Sequence, residues 1–199
     1  MPHDHTRVRE FFGARAAGWD TRFPDDGPAY AAAVADLGLR PGDTVLDAGC
    51  GTGRALPPLR EAVGPRGTVL GVDLTPEMLE QAVRAGRRAS GTLLLADVSR
   101  LPLCSHALDA VFGAGLIAHL PHPGENLREL ARVVRPGGKL ALFHPLGRAA
   151  LAARQGRQIS DDDLRAEPRL RPLLAGAGWR LESYTDEESR FLAVAVRQD

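Results

Sequence analysis

The stretch Val45-Leu46-Asp47-Ala48-Gly49-Cys50-Gly51-Thr52-Gly53 decides how this chain is read. A short apolar run closed by an acid is followed by glycines at every second position and then by a helical pattern. That order describes a buried strand ending near Asp47, a sharp turn and a helix. Glycine tolerates positive φ and lets a ligand approach the backbone where a side chain would collide. The unpaired N–H groups opening the next helix suit a carboxylate or another polar group. Spacing narrows the ligand. In a G-x-G-x-x-G dinucleotide loop counted from Gly49 the last glycine falls on Arg54, and no Lys-Ser or Lys-Thr pair follows for a nucleoside-triphosphate loop.

Outward from this loop, strands and single helices alternate. Thr44–Ala48, Thr68–Asp73, Thr92–Ala96, Ala110–Gly113 and Lys139–Phe143 read as strands with apolar centres. Helices are predicted over Arg54–Val63, from the cap Thr75 to about Arg87, and from Pro123 or Gly124 through Val134. Arg40-Pro41-Gly42-Asp43 and Arg135-Pro136-Gly137-Gly138 are turns. Strands separated by single helices mean a mostly parallel sheet covered on both faces. The tail differs: a helix over Leu170–Ala177 precedes strands Trp179–Thr185 and Arg190–Val196, with only Asp186 to Ser189 between them. That is too short for a crossover helix, so neighbouring strands there must pair antiparallel. Ahead of the sheet, Val8, Phe11, Phe12, Ala16 and Trp19 at three-and-four spacing predict a helix over Thr6–Trp19. The run from Phe23 to Pro28 breaks it, and a second helix, capped by Asp26 or Gly27, ends near Gly38.

At 199 residues the chain has the size of one domain with a continuous core. Its 25 basic and 25 acidic residues cancel, which leaves no electrostatic footprint for nucleic acid or an anionic membrane. Arg84 to Arg88 reads as a solvated helix terminus. Cys50 and Cys104 have neither zinc nor disulfide spacing, and no apolar run approaches the roughly 20 residues that span a bilayer. A soluble, cytoplasmic protein without a secretory leader is expected.

Gly49-x-Gly51-x-Gly53 after an acidic strand end resembles motif I of the class I S-adenosylmethionine-dependent methyltransferases. A parallel sheet finishing in an antiparallel hairpin is the fold of that family. The resemblance is to small, single-domain members of the type 11 kind and covers about residues 43–199, with residues 1–40 as a helical cap. It implies a Rossmann-like, doubly wound, mostly parallel sheet of seven strands with a C-terminal antiparallel hairpin. It also implies S-adenosylmethionine as cofactor, S-adenosylhomocysteine as product and a small-molecule methyl acceptor, with neither nucleic acid nor membrane as partner.

The resemblance carries over residue by residue. Gly49, Cys50, Gly51 and Gly53 would pass under the methionine part and the ribose, and Asp47 would fix the loop or reach the methionine amine through water. Asp73 at the second strand end would accept from both ribose hydroxyls, with Leu74 against the adenine and Met78 either beside it or packed in the core. Asp97 would accept from the adenine amine while Val98 offers its backbone N–H. A backbone carbonyl of Gly113 or Ala114 would hold the methionine end. His119 and His144 are the candidate catalytic groups, His144 as a base or as a residue that only shapes the pocket. Phe12 and Trp19 are candidates for a lid. No metal is expected: Pro121 interrupts any helix joining His119 to His122, and no further ligand completes a set.

Three alternatives stay open at this point. The same fold could methylate RNA or protein, could hold the cofactor without turnover, or could give way to a nicotinamide oxidoreductase.

Overall fold

Val45, Leu46 and Ala48 are fully buried, which requires a strand with neighbours on both sides and cover on both faces. The computed structural model, which describes residues 5–22 and 26–199, supplies both. Its strands are β1 (Thr44–Ala48), β2 (Thr68–Asp73), β3 (Thr92–Leu95), β4 (Leu108–Ala114), β5 (Val134–His144), β6 (Trp179–Glu187) and β7 (Arg190–Arg197). They form one sheet in the order β3-β2-β1-β4-β5-β7-β6, in which only β7 runs antiparallel to its neighbours. The order reverses between β1 and β4, so a crevice opens at their carboxyl ends, beside the glycine loop.

Alternation along the strands divides the core. Val45, Ala110, Phe112, Ala141, Phe143 and Val194 face one side, where α3 (Gly27–Leu37) and α4 (Leu56–Val63) bury Val34, Leu37, Leu56 and Leu59. Leu46, Val72, Val111, Leu140 and Leu142 face the other, under α6 (Pro123–Val133) and α8 (Glu167–Ala175) with Leu127, Leu130, Leu170 and Leu174. Trp179, fully buried on that side, donates its Nε1–H to the Leu127 carbonyl at 2.9 Å. No helix among the described residues is long and apolar enough to cross a membrane.

The doubly wound sheet and the terminal hairpin are as expected; several boundaries differ, each for a local reason. The helix expected over Thr6–Trp19 breaks into α1 (Thr6–Gly13), a 3-10 turn at Ala16–Gly18 and α2 (Trp19–Arg22). After Gly13 the bonding tightens, with the Arg15 amide on the Phe12 carbonyl at 3.0 Å. Phe23 to Asp25, at the expected break, lie outside the described residues. Asp26 stands at the N-cap of α3 without capping it, because its carboxylate meets Arg54 at 3.2 Å instead. The helix expected to reach Arg87, α5 (Pro76–Arg84), stops three residues earlier, and left-handed Gly86 turns the chain into a 3-10 turn at Arg87–Ala89. β5 begins before Lys139, since Val134 already pairs with Leu108; the register then shifts and the expected Arg135–Gly138 turn becomes an irregularity within the strand. The hairpin is tighter than expected, with Glu187 opposite Arg190. A further helix, α7 (Arg148–Arg154), follows β5.

Candidate functional site

The carboxyl ends of β1, β2, β4 and β5 open into a cavity of about 1200 Å³. Among its lining residues are all three strand-end acids, the glycine loop and both candidate histidines. Small-ligand pockets generally run to roughly 300–1,000 Å³, so there is room for two molecules side by side.

Asp47, the last residue of β1 but one, has 1 % of its surface exposed, and neither of its carboxylate oxygens has a hydrogen-bond partner among the described residues. Burial, and secondarily the neighbouring charge of Asp73, pushes its pKa up to about 8. Asp47 therefore does not fix the loop. A buried, orphaned carboxylate on a cavity wall is costly unless a cation or donor completes it, and an ammonium-bearing ligand does so. The loop beyond it turns through three left-handed glycines; at Gly51 (φ 54°) an added Cβ would have only the Met78 sulfur within reach, at 4.0 Å, which leaves that face of the backbone open to a ligand.

Asp73 already has two partners. Its Oδ2 accepts from the Gly51 amide and its Oδ1 from the Thr75 amide, both at 2.8 Å. Burial raises its pKa, and the bonds from Thr75 and Gly51 oppose the rise. The carboxylate thus sews the β1 and β2 loops together on the cavity wall. Asp97 accepts from the Ser99 amide at 2.7 Å, and His5 Nε2 stands 2.7 Å from its other oxygen. Desolvation raises the Asp97 pKa, yet Ser99 and His5 together hold it below the usual carboxylate value. Leu74, Met78, Val98, Gly113 and Ala114 line the same cavity.

The other end of the cavity lies over β4, β5 and β7. His119 closes the 3-10 turn Leu116–His119 and meets the Phe12 ring edge-on at 4.9 Å. Desolvation and the charge of Arg165 lower its pKa. His144 ends β5; its Nδ1 is 3.0 Å from both the amide nitrogen and the carbonyl oxygen of Leu146. Burial, only partly opposed by that contact and reinforced by Arg165 and Arg154, takes its pKa down to about 4. The ring is neutral at physiological pH. His122, by contrast, is absent from the cavity wall and heads α6, where its amide meets the Asn126 side chain. Cys50 is buried, and desolvation pushes its thiol well above the ordinary range, which leaves it without nucleophilic character.

Some site residues were beyond the reach of sequence reasoning. Asp20, on α2, binds three partners that are distant in sequence. Its Oδ1 accepts from the Thr52 hydroxyl at 2.7 Å and from Arg54 Nε at 3.1 Å, and its Oδ2 is 2.7 Å from Arg87 Nη1. Arg87 also donates to the Thr52 carbonyl at 2.7 Å, which corrects its reading as a solvated terminus. Burial raises the Asp20 pKa, but the bonds from Thr52 and Arg54 and the charge of Arg87 outweigh it and keep the group ionised. One carboxylate therefore clamps the N-terminal helices onto the glycine loop. Nothing beside Asp20 in the sequence announces these contacts, because Thr52, Arg54 and Arg87 all stand far along the chain. We expect Asp20→Ala to raise amide exchange across residues 6–22 and to weaken cofactor-product binding by about tenfold. Unchanged exchange in that segment would show that the clamp is redundant.

A family model described as "Methyltransferase domain" matches residues 46–142, from β1 through β5. The chain is 32 % identical over 147 residues to the arsenite methyltransferase of Halobacterium salinarum, which covers 67 % of this chain and 37 % of that protein. It is 26 % identical to the crystal structure of a SAM-dependent methyltransferase from Aquifex aeolicus, with a TM-score of 0.70 over 84 % of this chain and 89 % of the other. The magnesium protoporphyrin IX methyltransferase of Synechocystis PCC 6803 with bound S-adenosylhomocysteine superposes with a TM-score of 0.75 at 20 % identity, over 98 % of this chain and all of that one. The chain spans about a third of the length of the first curated relatives it matches, 36 % and 37 %.

Proposed function

We propose that this chain, which belongs to the class I S-adenosylmethionine-dependent methyltransferases, transfers a methyl group to a small-molecule acceptor by direct displacement. Bound S-adenosylmethionine supplies a methyl already activated on a sulfonium, so no nucleophilic side chain is called for. The protein's share is to hold, orient and desolvate two reactants. The observation that carries this reading is Asp47, whose two buried, unpartnered oxygens on the cavity wall match the ammonium of the cofactor's methionine part.

From Asp47 the cofactor positions extend along the strand ends. The Gly49–Gly53 backbone underlies the methionine and ribose, Asp73 offers its remaining lone pairs to the ribose hydroxyls, and Asp97 and Val98 read the adenine. Gly113 and Ala114 flank the methionine end from β4, and the N-terminal helices cover the pair of ligands. The acceptor then lies over β4 and β5, between His119 and His144. The wall there sets apolar Phe12, Leu116 and Phe191 beside charged Arg154, Asp163 and Arg165, and a cavity of this size suits a small molecule better than a nucleic acid or a protein surface. Curated relatives such as aklanonic acid methyltransferase and demethylmenaquinone methyltransferase are named for small molecules.

Calorimetric titration with S-adenosylhomocysteine and NAD side by side tests the proposal; tight binding of NAD with none of S-adenosylhomocysteine would end it. His144 has a narrower role than a base poised near neutrality. Held neutral, with Nδ1 tied to Leu146, it orients the acceptor through Nε2. On an acceptor returned by a labelled-methyl screen, His144→Gln should keep the rate within about threefold, while His144→Phe should lose roughly tenfold or more. Equal, hundredfold losses in both variants would restore the general base.

A further inference from the structure

Arg165 stands where the acceptor lobe meets the segment after α7. Its side chain is only 14 % exposed, and it lines the cavity. Two of its three nitrogens are engaged: Nε donates to Asp163 Oδ1 at 3.0 Å and Nη2 to Asp163 Oδ2 at 2.8 Å. The residue is pinned further through its backbone, the amide donating to Asp163 Oδ1 at 2.9 Å and the carbonyl accepting from the Tyr184 hydroxyl at 2.9 Å. The third nitrogen, Nη1, bonds to none of the described residues.

Asp163 is shared with Arg148, whose Nε lies 3.3 Å away and whose Nη1 also reaches Asp186 at 3.4 Å. The other acid lining this end, Asp162, is paired with Arg169 at 2.8 Å. The guanidinium of Arg165 is felt inside the lobe, where, after burial, it helps depress the pKa of both His119 and His144. A guanidinium with its Nε–Nη2 edge fixed on a carboxylate and its Nη1 end open is a preorganised donor to an oxyanion. Leu146, Leu151 and Phe191 line the same cavity and supply apolar wall to it.

We propose that the acceptor carries a carboxylate on an apolar body, and that the open Nη1 edge of Arg165 holds this carboxylate while His144 and His119 flank the atom to be methylated. The proposal rests on the methyltransferase reading and names the acceptor class of that same site. The cofactor's own carboxylate is the competing anion, but the fold separates the two. Arg165 is tied through its carbonyl to Tyr184 on β6, whose ring packs on Phe191 of β7, whereas Asp47 lies near the end of β1. With β4 and β5 between β1 and β7, and strands about 4.8 Å apart, Arg165 lies beyond the methionine end.

The test uses the full chain saturated with S-adenosylhomocysteine, titrated calorimetrically with 2-naphthoate and with its neutral analogue 2-naphthamide. The acid should bind at least about tenfold tighter than the amide. Arg165→Gln should erase that preference, and Arg165→Lys should restore part of it. Asp163 keeps Arg148 as a partner in both variants, so neither leaves it an orphaned carboxylate. Affinity for S-adenosylhomocysteine should be the same in all three proteins. Equal binding of acid and amide, no binding of naphthoate at all, or a preference that survives in Arg165→Gln would overturn the proposal. So would a loss of S-adenosylhomocysteine affinity in Arg165→Gln, which would assign the residue to the cofactor. Failure of the parent protein to bind S-adenosylhomocysteine would instead defeat the methyltransferase reading, and this inference with it.

Discussion

Asp47→Asn should make the ligand-free protein more stable and nearly abolish its binding of S-adenosylhomocysteine. Both effects come from the same two oxygens. Burial holds the Asp47 pKa at about 8, against about 3.9 for an unfolded aspartate. A carboxyl raised in the folded state makes folding increasingly unfavourable as pH climbs from the lower value to the upper one. Above pH 8 the penalty is complete, and below pH 4 it is absent. Asparagine carries no such penalty, although its amide is itself a buried polar group with no protein partner. The net gain should be about 1–2 kcal/mol at neutral pH, a rise of a few degrees in Tm.

Binding goes the other way. An ammonium selects the ionised carboxylate, so the proton must leave as the ligand enters. Affinity should therefore rise about tenfold per unit as pH increases towards 8 and level off above it. At pH 6.5 calorimetry in buffers of different ionisation heat should report close to one proton released per ligand. Asp47→Asn should release none and bind at least about a hundredfold more weakly at pH 8. A variant that binds normally, or a wild-type affinity flat between pH 6 and 8, would remove Asp47 from the ammonium site.

The contrast between Asp47 and its neighbours explains what was legible in the sequence. Strands β1 and β2 were readable to the residue because a parallel strand buried on both faces must be a continuous apolar run, and its polar exit marks its end. The three acids were readable because they stand at those exits. Their partners were not. Nothing local announces that Asp73 is already bonded to Gly51, that His5 reaches Asp97, or that Asp47 has no hydrogen-bond partner among the described residues. Those facts depend on which loops fold over which strand ends. Asp20 and Arg165 belong to the same class, each defined by contacts across the fold. α7 is a different kind of omission: Arg148-Ala149-Ala150-Leu151-Ala152-Ala153-Arg154 is made of strong helix formers, and propensity alone would have found it.

Trp179→Ala should do the reverse of Asp47→Asn, unfolding the protein more readily while leaving its ligand site intact. Trp179 opens β6, and β6 runs parallel to β5 because both are antiparallel to β7. Its first residue therefore lies at the amino end of the sheet, level with Arg197 and the start of the β5–β7 pairing, whereas the cavity opens at the carboxyl end. The ring is wholly buried against α6 and α8, and its N–H bond to Leu127 ties α6 to the hairpin. Truncation of such a side chain costs about 3–5 kcal/mol through lost burial and the cavity left behind. For a chain of this length that is a fall in Tm of roughly 6–20 °C. Trp179→Phe, which keeps most of the ring volume and loses the hydrogen bond, should fall between the two. Well below the transition, the affinity of Trp179→Ala for S-adenosylhomocysteine should stay within about threefold of wild type, because additivity holds for sites without shared partners. A variant that melts early and also binds weakly at low temperature would mean that α6 transmits packing at one end of the sheet to Asn126 and the cavity wall at the other. Strand ends and core would then be one cooperative unit. The opposite signs expected for Asp47 and Trp179 rest on their independence: the site holds a buried charge at a cost in stability that burial elsewhere in the sheet offsets.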